Sequence, residues 1–237
     1  VVKMPKPKPE PVQQSMEPTK PEAAKPKKSK ATVNFWDSFA KQTVEKAAKE
    51  IFDITDVTEI ASLVGAPDDA KINISLLDRD IEIEVRHSSY SATRQFRIDD
   101  QGRKYIHNDT FFMHSGQTGT GLGSEILANQ IAWAKDKDFA YLECDAARGP
   151  TMNGYYTWPR MGYDAPLSAI RSASVQTKVK QKFPQAKTVL DIMATAQGRD
   201  WWKVNGEWIN GAKFDLREGS RSLQTHQAYM EERRTRG

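Results

Sequence analysis

The chain has 237 residues, enough for one domain and a tail, with a formal net charge of +4 and a hydrophobic content of 38%. Its single cysteine, Cys144, excludes an intrachain disulfide and a cysteine-rich zinc site, and its four histidines show no HxxxH spacing, so no metal site is expected. No apolar run is long enough to span a membrane and no signal-peptide pattern opens the chain, so no membrane partner is expected.

Residues 1–31 hold seven of the twelve prolines, eight lysines and three glutamates, so this segment carries +5 and the remainder of the chain −1. Such a composition buries too little apolar surface to offset chain entropy, which predicts a disordered, Lys/Pro-rich linker. It reads as the joint to something upstream, since the chain opens on Val1 as a processed product or a piece of a longer protein would. No aromatic residue interleaves with these lysines, so nucleic acid is not the expected partner.

Residues 34–51 read as a helix, with Phe35, Phe39, Val44, Ala47, Ala48 and Ile51 as its apolar stripe. Asp56 and Glu59 have capping-box spacing for a second short helix that Gly65-Ala66-Pro67 ends. Lys71–Leu77 alternates apolar and polar residues, as do the stretches around Ile81, Ile83 and Val85, at 92–98 and at 104–114. Short polar turns between them predict an antiparallel meander. Residues 111–123, FFMHSGQTGTGLG, then place glycine at 116, 119, 121 and 123 before a helical pattern over 121–136. Glycines let backbone N–H groups approach an anion, and a helix start adds its unpaired donors and positive dipole end, so this is a phosphate cradle. A P-loop would need Lys-Ser/Thr where Leu122-Gly123 stand, and a dinucleotide fingerprint would need GxGxxG where this loop reads GxGxG.

A strand is expected at 139–146, then helices at 168–183 and 185–196. Asn205-Gly206 between two strand-like runs at 201–209 predicts a hairpin with a type I′ turn. Trp201, Trp202, Trp208 and Phe214 would pack that hairpin or form a contact surface. Residues 217–237 are polar and read as a fraying tail or a surface helix.

Thr118-Gly119-Thr120-Gly121-Leu122-Gly123 resembles the [RQ]-x-x-G-x-[GA] loop of the GNAT (Gcn5-related N-acetyltransferase) superfamily, with Thr118 where Arg or Gln usually stands. Asn153, Tyr155, Tyr156, Met161, Gly162 and Tyr163 resemble the family's second signature, except that its tyrosine column falls on Trp158 and Pro159 interrupts the helix. The resemblance covers about residues 34–165. It implies an α+β fold, with a mixed, mostly antiparallel central sheet and helices on both faces. The GNAT-like domain would span 32–216, with a core at 34–165 and a helical and hairpin extension at 166–216, before a polar tail at 217–237.

The resemblance also implies acetyl-CoA as cosubstrate, its pyrophosphate held by Thr118, Gly119, Thr120, Gly121, Leu122, Gly123 and Ser124. Backbone groups around Phe112, Met113 and His114 would face its carbonyl. Asn153 would lie near the pantetheine or simply cap a helix. An amine acceptor, small molecule or protein, would attack directly, so a carboxylate base is needed. Glu143 is the first choice and Asp145 the second, unless they are a solvated strand face or paired with arginine. Tyr156 would protonate the leaving thiolate, or pack beneath the cofactor. His114 and Cys144 read more readily as an ordinary histidine and a small buried hydrophobe. Similar cassettes occur within large phage and bacterial proteins, so the alternative is a catalytically inactive module of a larger assembly such as a virion. The compartment would accordingly be cytoplasmic or virion-associated.

Overall fold

The structure is a computed structural model that describes residues 27–236; residues 1–26 of the expected linker lie outside it. Residues 27–31 belong to the folded domain. Lys27 pairs with Asp68 at 3.0 Å, the Ser29 N–H donates to Ser62 Oγ at 2.8 Å, and the Trp133 indole donates to the Lys27 carbonyl at 3.0 Å. The domain expected to start at residue 32 therefore takes in residues 27–31 as well.

The expected first helix begins later and follows a strand. Strand β1 (Thr32–Phe35) pairs parallel with a later strand, and helix α1 (Ser38–Phe52) starts where the Asp37 carboxylate accepts the Ala40 N–H at 2.7 Å. Phe35 is thus a strand residue, and Phe39 is 75% exposed; Val44, Ala47, Ala48 and Phe52 make the buried stripe. Helix α2 (Glu59–Leu63) has Thr58 at its N-cap, and the expected Asp56–Glu59 box does not form. Asp56 instead accepts the Thr58 N–H at 2.9 Å and hydroxyl at 2.7 Å, an Asx turn leading into the helix.

The meander follows as β2 (Lys71–Leu77), β3 (Asp80–Arg86), β4 (Tyr90–Ile98) and β5 (Lys104–Met113), each antiparallel to its neighbour. Helix α3 (Leu122–Asp136) returns the chain so that β6 (Tyr141–Ala146) pairs parallel with β5. A two-residue pair, β7 (Arg148–Gly149) and β8 (Met152–Asn153), leads to α4 (Gly154–Arg160). The expected helix at 168–183 is split into a 3-10 turn (Leu167–Ala169) and α5 (Ala173–Lys182), because Ser172 caps a new start by accepting the Val175 N–H. The expected 185–196 helix contracts to α6 (Val189–Met193), started by a Thr188–Asp191 capping box. Helix α7 (Ala196–Asn205), strand β9 (Ile209–Asp215) and helix α8 (Arg221–Arg236) complete the chain. The result is an α+β domain with one mixed seven-stranded sheet in the order β1-β2-β3-β4-β5-β6-β9, parallel only at β1–β2 and β5–β6.

The expected Asn205-Gly206 hairpin does not form. Asn205 ends α7, and the Gly206 N–H donates back to the Trp202 carbonyl at 2.7 Å. Burial decides this, since Trp202 is 0% exposed and its indole N–H donates to the Tyr155 carbonyl at 2.8 Å. That carbonyl is the one Pro159, four residues on, cannot bond for lack of an N–H. Pro159 therefore stays inside α4 rather than breaking it. β9 pairs with β6 instead of with its sequence neighbour.

Residues sharing a face of a strand alternate. Phe96, Ile106 and Leu142 register with one another, and Phe52 of α1 packs edge-on against Phe96. Asn108, on the same face, bonds Gln130 of α3, and Phe214, level with Leu142, meets His226 of α8. These contacts gather α1, α3 and α8 on one face. The other face carries Glu82, Gln95, His107, Glu143 and Lys213 across β3, β4, β5, β6 and β9. The expected tail at 217–237 is mostly α8, which buries Ser222 and His226 against the domain. Among the described residues, no helix is long and apolar enough to cross a membrane.

Candidate functional site

Strands β5 and β6 are hydrogen-bonded at Tyr105–Tyr141, Ile106–Leu142 and His107–Glu143, and there the pairing stops. Both strands run on, β5 to Met113 and β6 to Ala146, so they splay apart and open a wedge in the sheet. A cleft of about 590 Å³ occupies it. Edge groups of β5 beyond His107 have no strand partner from β6 and face this space. A bulge starts the divergence. Thr93 opposes Thr110 and Arg94 opposes Asn108, which leaves Asp109 as the extra residue. Arg94 braces it, its Nη1 donating to the Thr93 carbonyl at 3.1 Å and the Thr110 carbonyl at 2.6 Å. Behind the cleft, Asn108 donates to Gln130 Oε1 at 3.1 Å and Tyr163 OH at 2.7 Å, and Gln130 donates back to Asn108 Oδ1 at 3.0 Å. This buried network ties β5, α3 and the segment after α4 together at the floor of the cleft.

The glycine loop forms one end of the same cleft. Gly119 and Gly121 have φ of +82° and +96°, a region that glycine enters without strain. Among the described residues, the N–H groups of Gly119, Gly121 and Gly123 have no backbone or side-chain acceptor. A Cβ on Gly119 would meet nothing within 4 Å, so the loop surface is open to a ligand. These free donors sit at the start of α3, which suits an anion.

The expected anion-binding residues mostly converge here. Thr118, Gly119, Thr120, Gly121, Gly123 and Ser124 line the cleft, as do Phe112 and Met113 at the end of β5 and Asn153 opposite. Leu122 packs against the core instead, and His114 is exposed with its ring bonded to the Ser88 carbonyl at 2.9 Å, off the cleft lining. Asn153 occupies the N-cap position of α4 without a side-chain capping bond.

The two expected catalytic groups are elsewhere. Glu143 points to the polar face of the sheet, where its carboxylate meets His107 at 3.3 Å and Lys213 at 3.5 Å, and it does not line the cleft. The hydrogen bond from His107 holds that carboxyl below its ordinary range, which suits an ion-pair partner better than a base. Tyr156 lies beside Lys203 of α7, also off the cleft lining. Its expected place is taken by Trp158, packed on Phe111 and Tyr163. Asp145, the second-choice base, does line the cleft and accepts the Gly211 N–H at 2.8 Å. Cys144 is buried and its thiol is pushed well up by burial, so it is no nucleophile.

Several cleft residues were not expected there. Asp109 stands in the cleft because of the bulge, which the alternating pattern of β5 hides. Trp208, Tyr229 and Arg233 reach it from the extension and from α8. Arg233 Nη1 donates to Ser124 Oγ at 3.1 Å, and Tyr229 OH lies 3.4 Å from the same atom. No group of histidine, cysteine and carboxylate side chains able to hold a metal occurs among the described residues. Compared with known proteins, the chain matches no family model and no curated protein.

Proposed function

We propose that this chain is an N-acyltransferase of GNAT type that moves an acetyl group from acetyl-CoA to an amine. The observation that supports it most is the wedge between β5 and β6, which opens directly onto the glycine loop at the start of α3. One end of the cleft offers free backbone donors for a pyrophosphate, and the middle offers the unpaired edge of β5 to a thioester carbonyl. Bound acetyl-CoA supplies the activated acyl group. The chain's part is to hold it against an incoming amine and to take up the ammonium proton. Asp109 and Asp145 are the carboxylates of the cleft, and in this reading one of them, directly or through water, is the proton acceptor. Glu143 and Tyr156 have no part in it.

The test is calorimetric titration of the full chain with acetyl-CoA beside Gly119→Asp and Gly119→Asn. Both substitutions tolerate positive φ and meet no neighbour, so they differ in charge alone. Binding in the parent and the Asn variant, lost in the Asp variant, supports the reading. Thiol release on adding amines then measures turnover. Binding without turnover for any amine favours an inactive module, which the placement of Glu143 and Tyr156 outside the cleft also suits. No binding by the parent overturns the proposal.

A further inference from the structure

Arg233 stands on the last helix, 109 residues from Ser124 in sequence, yet its guanidinium donates to Ser124 Oγ at 3.1 Å. A Cβ on Gly121 would lie 2.7 Å from its Nη2, so the guanidinium rests on the backbone of the loop itself. The helix beneath, α3, is fifteen residues long and presents its positive end there. Two positive groups are thus pressed together. Among the described residues, no carboxylate lies within ion-pair distance of Arg233.

A second cation points the same way. Arg94 is 2% exposed, and among the described residues its Nε has no hydrogen-bond partner and no carboxylate is within ion-pair distance. Its guanidinium lies 5.3 Å from the centre of the Phe111 ring, and that ring in turn is 3.5 Å from where a Gly123 Cβ would be. Arg94 therefore stands behind the cleft wall at the first turn of α3, while Arg233 stands in front. A half-buried guanidinium without an ion-pair partner, set against a helix start whose own amides are free, is an incomplete site.

The helix carrying Arg233 is held in place deliberately. Arg160 of α4 pairs with Glu232 and stacks 5.2 Å from the centre of the Tyr229 ring. The positioning of Arg233 is thus fixed by its two neighbours on α8, with the side chain itself left to the cleft.

We infer that Arg233 is an anion ligand, which closes from the C-terminal helix over the start of α3 on a phosphate or pyrophosphate group. The anion follows from the geometry alone. Its identity as the pyrophosphate of an acyl-CoA rests on the function proposed above.

The test is calorimetric titration of the full chain with inorganic pyrophosphate and, separately, with coenzyme A. The variants are Arg233→Ala, Arg233→Lys and Arg234→Ala, whose thermal melts are recorded alongside. Arg234 is the adjacent, exposed arginine of the same helix and controls for net charge. Arg233→Ala is expected to weaken both ligands at least tenfold, Arg233→Lys to recover part of the loss, and Arg234→Ala to stay within about twofold. Equal losses for Arg233→Ala and Arg234→Ala would reduce the effect to general electrostatics and overturn the inference. So would coenzyme A binding that Arg233→Ala leaves intact, although the proposed function would then survive. Arg233-dependent pyrophosphate binding without coenzyme A binding would leave the inference standing and sink the acyl-CoA reading. If Arg233→Ala melts early, Arg233→Gln replaces it: a stable Gln variant that weakens both ligands supports the inference, and one that binds both as tightly as the parent overturns it.

Discussion

The amide pair at the floor of the cleft offers a quantitative check on what holds the wedge open. Asn108 and Gln130 are 3% and 1% exposed, and they exchange two hydrogen bonds while Asn108 adds a third to Tyr163. Asn108→Ala deletes all three and leaves the Gln130 amide and the Tyr163 hydroxyl dry and unpaired. At about 1 kcal/mol net for each lost bond, plus a desolvation penalty of about 1–3 kcal/mol for groups left unpaired, the substitution is expected to cost about 4–6 kcal/mol. Gln130→Ala is expected to cost about 3–5 kcal/mol by the same reasoning. The double variant no longer strands an amide, so its cost falls short of the sum by about 1.5–3 kcal/mol. Urea denaturation of the four chains gives this coupling directly. A coupling below about 0.5 kcal/mol would show that the pair acts as two independent surface-like groups, contrary to its burial.

Other consequences follow from particular contacts. A Cβ on Gly65 would lie 2.2 Å from the Ile126 carbonyl at a φ of +69°, whereas one on Gly102, at +76°, meets nothing within 4 Å. Gly65→Ala should therefore lose about 2–4 kcal/mol and Gly102→Ala only about 1 kcal/mol in the same urea assay, and equal losses would refute the close packing of α2 on α3. Trp202→Phe strands the Tyr155 carbonyl and should cost about 2–3 kcal/mol; adding Pro159→Ala restores an N–H to that carbonyl and should recover about 1 kcal/mol. No recovery would show that the indole bond does not stand in for the missing helix bond. Burial holds the pKa of His226 below its ordinary value, so its folded state resists protonation. Its contribution is complete above the unfolded value near 6.5 and is lost as pH falls through that value toward the folded one. The urea midpoint should accordingly drop between pH 7.5 and pH 5 more in the parent than in His226→Gln, and identical drops would refute the assignment.

Local chemistry was enough to read the meander and the glycine loop. Alternating residues such as Ile72, Ile74, Ile81 and Ile83 commit strands to one buried face, and the same positions are buried in the fold. Gly119 and Gly121 sit at positive φ where the loop must turn, and α3 begins at Leu122, next to the expected residue. These signals are short-range, so sequence neighbours carry them. The Asn205-Gly206 hairpin failed for the opposite reason. The turn preference of two residues is small beside the burial of Trp202, whose partner Tyr155 is 47 residues away. The catalytic candidates were misplaced in the same way. Alternation put Glu143 and Asp145 on one face of β6, but only the end of the β5–β6 pairing decides which of them meets the cleft. The polar composition of residues 217–237 carried no hint that Arg233 would rest on Gly121. A sequence can specify which groups want to be buried or charged; which distant groups then meet is decided by how the sheet splays and where the last helix docks.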